Sequence, residues 1–132
     1  MIKSNLAQSA IEFLILTGFL LFSFTILFVA IQGNMSDKIR ERQELAVKSV
    51  AIAVQDEINL ASQSMDGYYR QFKIPKEING REYEINITDG VVYLRTIDGK
   101  YAIALPVQNV TGYLEKENPN IIRKENGIVY LN

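Results

Sequence analysis

The chain has 132 residues, with 14 basic and 15 acidic side chains and a formal net charge of −1. That size leaves room for one small domain beside a membrane segment, and that charge offers no electrostatic case for nucleic acid or an acidic substrate. There is no cysteine and no histidine, which excludes a disulfide framework, a thiolate metal site and a lipid-carrying Cys, and removes the commonest general base and metal ligand.

Between Phe13 and Gln32 no side chain is ionisable, and Leu, Ile, Phe, Val and Ala predominate. A helical run of about 20 such residues crosses a hydrocarbon core of roughly 30 Å. It exceeds the roughly 7–15 apolar residues of a secretory signal, and Val29-Ala30-Ile31-Gln32-Gly33 lacks the small-residue pattern of a signal-peptidase site. Glu12 stands at the amino-terminal edge of the run, where a carboxylate is costly unless it meets a partner or an interface.

The residues around Glu12 resemble the class III signal peptide of archaeal type IV pilin-like proteins. That pattern is a Gln, a Ser two positions on, a Glu four after the Gln and a Leu eight after it. Gln8, Glu12 and Leu16 match; the middle position is Ala10, with the serine displaced to Ser9. The resemblance implies cleavage by a prepilin peptidase on the cytoplasmic side, between Ala7 and Gln8, removing residues 1–7. It implies that the α-amino group so created at Gln8, ordinarily titrating near pH 8, pairs with Glu12 of a neighbouring subunit. Such a pair neutralises two groups that are each expensive in lipid or a packed bundle. It makes Gln8 and Glu12 the subunit-docking residues, because an unpaired charge penalises every misaligned docking. The partners implied are membrane lipid, the peptidase and other pilin-like subunits, in a homo- or hetero-oligomer.

Charge flanking the run leans the other way. Lys3 and the initial amine precede it, whereas Lys38, Arg40, Arg42 and Lys48 follow. By the positive-inside rule alone the carboxy-terminal part would be cytoplasmic. The resemblance implies the opposite: a single-pass protein with an extracellular carboxy-terminal domain.

Past Gly33-Asn34, which could interrupt the helix, strong helix formers continue to about Met65. Apolar residues fall at Ile39, Ala46, Val47, Val50, Ala51, Val54, Ile58 and Ala61. From Val47 the spacing marks one helical face, expected to pack on a core. Asp66-Gly67 punctuates its end, and the period then changes. Asn79-Gly80, Asp89-Gly90, Asp98-Gly99 and Asn126-Gly127 are favoured hairpin dipeptides. They separate expected strands at 69–74, 81–87, 91–97, 101–107, 121–124 and 128–131, with 115–120 as a loop. A sheet domain of about 65 residues is marginal alone and should bury one face on the helical stripe.

The expected fold is therefore α+β and pilin-like. A long amino-terminal helix, transmembrane in its first half and amphipathic in its second, packs on a small antiparallel β-meander. The plan is a leader at 1–7, a transmembrane helix at 8–33, its amphipathic continuation at 34–65 and the β domain at 66–132. No catalytic residue, metal site or cofactor is expected. Glu82, Glu84, Asp89 and Asp98 fit no recognised calcium loop, and neither a phosphate-binding loop nor a nucleophile elbow is present. Sequons at Asn86 and Asn109 are candidate glycan sites if the domain is extracellular; a third, at Asn34, lies near the membrane boundary. The expected function is a structural subunit of a surface filament or pseudopilus. The alternative is an unprocessed single-pass membrane-anchored β domain that binds an extracellular partner or ligand.

Overall fold

A computed structural model describes the backbone from Ile2 to Asn132 and side chains from Leu6 onward. Met1 and the side chains of residues 2–5, part of the expected leader, lie outside the described residues. Helix α1 runs from Ile2 to Gln63, 62 residues, without a break at Gly33. One glycine costs only about 1 kcal/mol relative to alanine, and the formers on either side outweigh it. The chain divides into two units, residues 1–40 and 41–132.

The first unit is helical and buries almost nothing. Its large apolar side chains from Leu6 to Ile31 are exposed, Phe13, Leu14 and Phe19 by about 70 % each. It contains a helix long and apolar enough to cross a membrane, with none of the apolar window buried. A helix apolar all round requires a surrounding other than water.

The second unit is built on the opposite pattern. In residues 41–63 of α1, Val47, Ala51, Val54, Ile58 and Ala61 are buried, with Ala46 and Val50 packed at their margin. Ile39, which precedes this stripe, is exposed and lies in the first unit. The stripe shares one core with Ile74, Ile78, Tyr83, Ile85, Val92, Leu94, Ile122, Val129 and Leu131.

Seven strands cover it: β1 (Tyr69–Phe72), β2 (Tyr83–Thr88), β3 (Val91–Thr96), β4 (Ala102–Pro106), β5 (Val110–Gly112), β6 (Asn120–Glu125) and β7 (Ile128–Leu131). The α+β architecture, a long amino-terminal helix packed on antiparallel sheet, is the one expected. The meander itself is β2-β3-β4, with Ile85 opposite Leu94 and Leu94 opposite Ile103. The remaining strands form a second sheet in the order β1-β6-β7-β5, in which β5 joins β7 in parallel. β5 was not anticipated. It has three residues, and its partner lies far along the chain.

The turns follow from backbone chemistry. At Asn79-Gly80, Asp89-Gly90 and Asn126-Gly127 both residues have positive φ, the type I′ geometry that matches the twist of a two-residue hairpin. At Asp98-Gly99 only the glycine does, the mark of a longer loop ending in a bulge. Gly112 is constrained differently: at φ 127, a Cβ there would overlap the Leu131 carbonyl.

Polar groups join distant segments. Lys124 Nζ donates to Ser62 O at 2.6 Å and Ser64 O at 2.8 Å, placing a cation at the negative end of α1. Gly127 N donates to Asp66 Oδ1 at 2.8 Å, so the β6–β7 turn holds the segment leaving the helix. Asn120, fully buried, accepts from Glu115 N at 2.7 Å and donates to Glu115 O at 2.8 Å. Asn132 Nδ2 donates to Asn120 Oδ1 at 3.0 Å and to Tyr113 O at 2.9 Å.

Candidate subunit-docking site

Residues four apart on a helix face one another, and Gln8 Nε2 donates to Glu12 Oε1 at 3.1 Å. Ile15, Leu16 and Phe19 extend that face and, with Glu12, line an apolar groove of about 420 Å3. Phe19 also borders a second apolar groove of about 310 Å3, with Leu20, Ser23, Phe24 and Leu27. Ser23 and Thr25 donate to Phe19 O and Leu21 O, each at 2.9 Å. These bonds occupy hydroxyl donors that an apolar surrounding would otherwise leave unpaired.

Among the described residues no cation lies within ion-pair distance of Glu12. Its one side-chain partner is a neutral amide. Chemically, the carboxylate can still accept from a cation brought by another molecule.

Of the residues singled out in the sequence, Gln8 and Glu12 are thus brought together, and Ala7 is exposed beside them. Asn86 and Asn109 lie elsewhere, in the second unit, and both are exposed. Asn86 sits on β2 and borders a cleft of about 340 Å3 with Glu84, Ile85, Leu114 and Lys116; Asn109 precedes β5. Phe19, common to both grooves, was missed by sequence reasoning. Its signal was there to read: 15, 16 and 19 follow from Glu12 by helical spacing.

Two of the acidic residues singled out in the β unit, Asp98 and Glu84, are engaged in its scaffold. Asp98 Oδ1 accepts from Thr96 Oγ1 at 2.6 Å and Lys100 N at 3.1 Å, and its other oxygen pairs with Arg81. The Thr96 hydroxyl above all, then the Lys100 amide and the Arg81 charge, hold the Asp98 carboxyl below its ordinary value. Glu84 pairs with Arg95 at 2.9 Å across β2 and β3. No group of three or more acidic side chains converges among the described residues. Tyr83, buried under a Lys116 ammonium 5.0 Å from its ring centre, donates its hydroxyl to Pro75 O. Burial pushes its phenol up to about 12.

No protein-family model, curated protein or solved structure matches the chain.

Proposed function

We propose that the chain is a structural subunit of a type IV pilus-like surface filament or of a pseudopilus. In this reading it is held in the membrane by its apolar helix, with residues 66–132 outside the cell. A prepilin peptidase cuts it between Ala7 and Gln8, and the helix then docks on other pilin-like subunits. The observation that carries the reading is the surface of the first unit. From Phe13 to Ile31 it is apolar on all sides, and Glu12 is the one ionisable side chain between Leu6 and Ser36. A plain anchor needs the apolar surface but has no use for the carboxylate. A docking helix uses both, the apolar face for area and Glu12 for register.

The test is assembly in the native host. Glu12→Ala should leave a processed subunit stranded in the membrane, absent from filaments or cross-linked oligomers. Glu82→Gln, on the β unit, should assemble normally. Unimpaired assembly of Glu12→Ala would overturn the docking role.

A second reading is an unprocessed single-pass protein whose β unit lies on the cytoplasmic side and binds a partner or ligand there. The basic residues Lys38, Arg40, Arg42 and Lys48 after the span favour it, since they lean towards a cytoplasmic carboxy-terminal unit. Protease applied to intact cells separates the two: an external β unit is degraded, a cytoplasmic one is protected.

A further inference from the structure

Two asparagines precede glycine at turns of the β unit, Asn79-Gly80 and Asn126-Gly127, with the same backbone signs at both. Asn-Gly is the pair most open to attack by the main-chain nitrogen on the side-chain amide, because glycine sets no Cβ against the approach. Identical sequence chemistry would make the two equivalent. Their surroundings do not. We propose that Asn79 is a site of spontaneous deamidation and backbone isomerisation, and that Asn126 is protected from it.

The step is balanced without a catalyst. Gly80 N bonds to Asn79 Cγ and gives its proton to water; the Cγ–Nδ2 bond breaks and Nδ2 leaves as ammonia. Water then opens the resulting succinimide at one carbonyl or the other, leaving aspartate or isoaspartate. For this the turn must open and the glycine N–H must be free to lose its proton.

At Asn79 both requirements are met cheaply. The turn closes an isolated bridge, Ile78 N to Arg81 O at 2.9 Å and Arg81 N to Ile78 O at 3.0 Å, with no ladder behind it. Asn79 and Gly80 are exposed, as are Asn126 and Gly127, but Gly80 N–H donates to no group among the described residues. At Asn126 neither is met. The turn closes the β6–β7 ladder, paired from Glu125 and Ile128 to Ile122 and Leu131. Gly127 N–H donates to the Asp66 carboxylate at 2.8 Å. A carboxylate holding that proton opposes its loss, both by the hydrogen bond and by its charge.

The product would disturb more than one residue. Isoaspartate adds a carbon to the main chain inside a two-residue turn, which removes the Ile78–Arg81 register. Ile78 is a core residue, 4 % exposed, and Arg81 holds Asp98. Ageing at Asn79 therefore loosens an anchor of the core.

Peptide mapping of the full-length protein in detergent micelles, incubated at mildly alkaline pH, tests this, with isoaspartyl-methyltransferase labelling to identify the isomer. The chain unfolded in denaturant supplies the reference, in which both Asn-Gly pairs react alike. In the native protein Asn79 should convert near the reference rate and Asn126 about tenfold more slowly, or slower still, the ratio that about 1.4 kcal/mol of extra opening cost produces. Equal native rates, a faster Asn126, or an Asn79 protected as strongly would overturn the proposal. Asp66→Ala should raise the Asn126 rate towards the reference; an unchanged rate would overturn the protective role of Asp66.

Discussion

Residues 13–32 and 47–61 are both helical and both rich in aliphatic side chains, yet only the second stretch buries them. In the second, apolar residues return at helical spacing and polar ones fill the turns between. One face therefore goes into the core while the other stays wet. Each fully buried Val or Ile there contributes about 1.5–3 kcal/mol. In the first, the apolar residues occupy every face, and nothing among the described residues covers them. Pattern, more than content, decides whether a helix finds its partner within its own chain or outside it. On the proposed reading, Glu12, at one end of the uncovered stretch, is where an outside partner is registered.

Placing the same charge in each stretch breaks or sharpens this contrast most strongly. Val54→Asp should cost several kcal/mol, the penalty for an unpaired charge in a core, and abolish the cooperative melt of the β unit. Phe24→Asp should leave that melt within about 0.5 kcal/mol of the parent, while raising the cost of membrane insertion by about 2.5–3.5 kcal/mol. Thermal melts in detergent and a membrane-fractionation assay read the two effects. An unfolded β unit in Phe24→Asp would show that the two stretches depend on each other.

Gly112→Ala should come next. It forces a Cβ onto the Leu131 carbonyl from a positive φ, and strain of that kind costs about 1–3 kcal/mol. Hydrogen exchange should rise at β5 and β7 first, because Thr111 and Gly112 pair there. Asn120→Ala should cost about 1–3 kcal/mol by leaving Glu115 N and O without their partner, and a chemical melt of the 41–132 unit measures it.

The smallest effects are in pH. Tyr83 is raised to about 12 from an ordinary 10, so the unfolded chain gives up this proton first. Its contribution is complete below about pH 10 and is lost as pH rises towards the folded value. Tyr83→Phe should flatten the alkaline limb of a stability-against-pH curve. Asp98 is shifted down, with the opposite consequence. Its contribution is present above the ordinary carboxylate value of about 4 and is lost as pH falls through the lower folded one. Asp98→Asn should flatten the acid limb.

Much of the second unit could be read from the chain because its signals are local. Asn79-Gly80, Asp89-Gly90 and Asn126-Gly127 announce turns through residues that tolerate positive φ, and Val47 to Ala61 announce a face through spacing alone. The second sheet could not be read in the same way. Val110-Thr111-Gly112 is too short to show alternation, and its parallel partner is β7. Asn120, Asn132 and Lys124 look like ordinary surface residues until the fold brings Glu115, Tyr113 and the end of α1 beside them. At the candidate site, Gln8 and Glu12 were legible as a pair four apart. What answers the Glu12 charge was not legible, and on the proposed reading it comes from another molecule, which leaves no trace in the spacing of one chain.

The most direct measurement is the amino-terminal sequence and intact mass of the protein purified from its native host's membrane. The account predicts a chain that begins at Gln8, with a new α-amino group available to pair with Glu12 of a neighbour. A chain that begins at Met1 would contradict it, leaving the apolar helix as an anchor and Glu12 without the partner on which assembly depends.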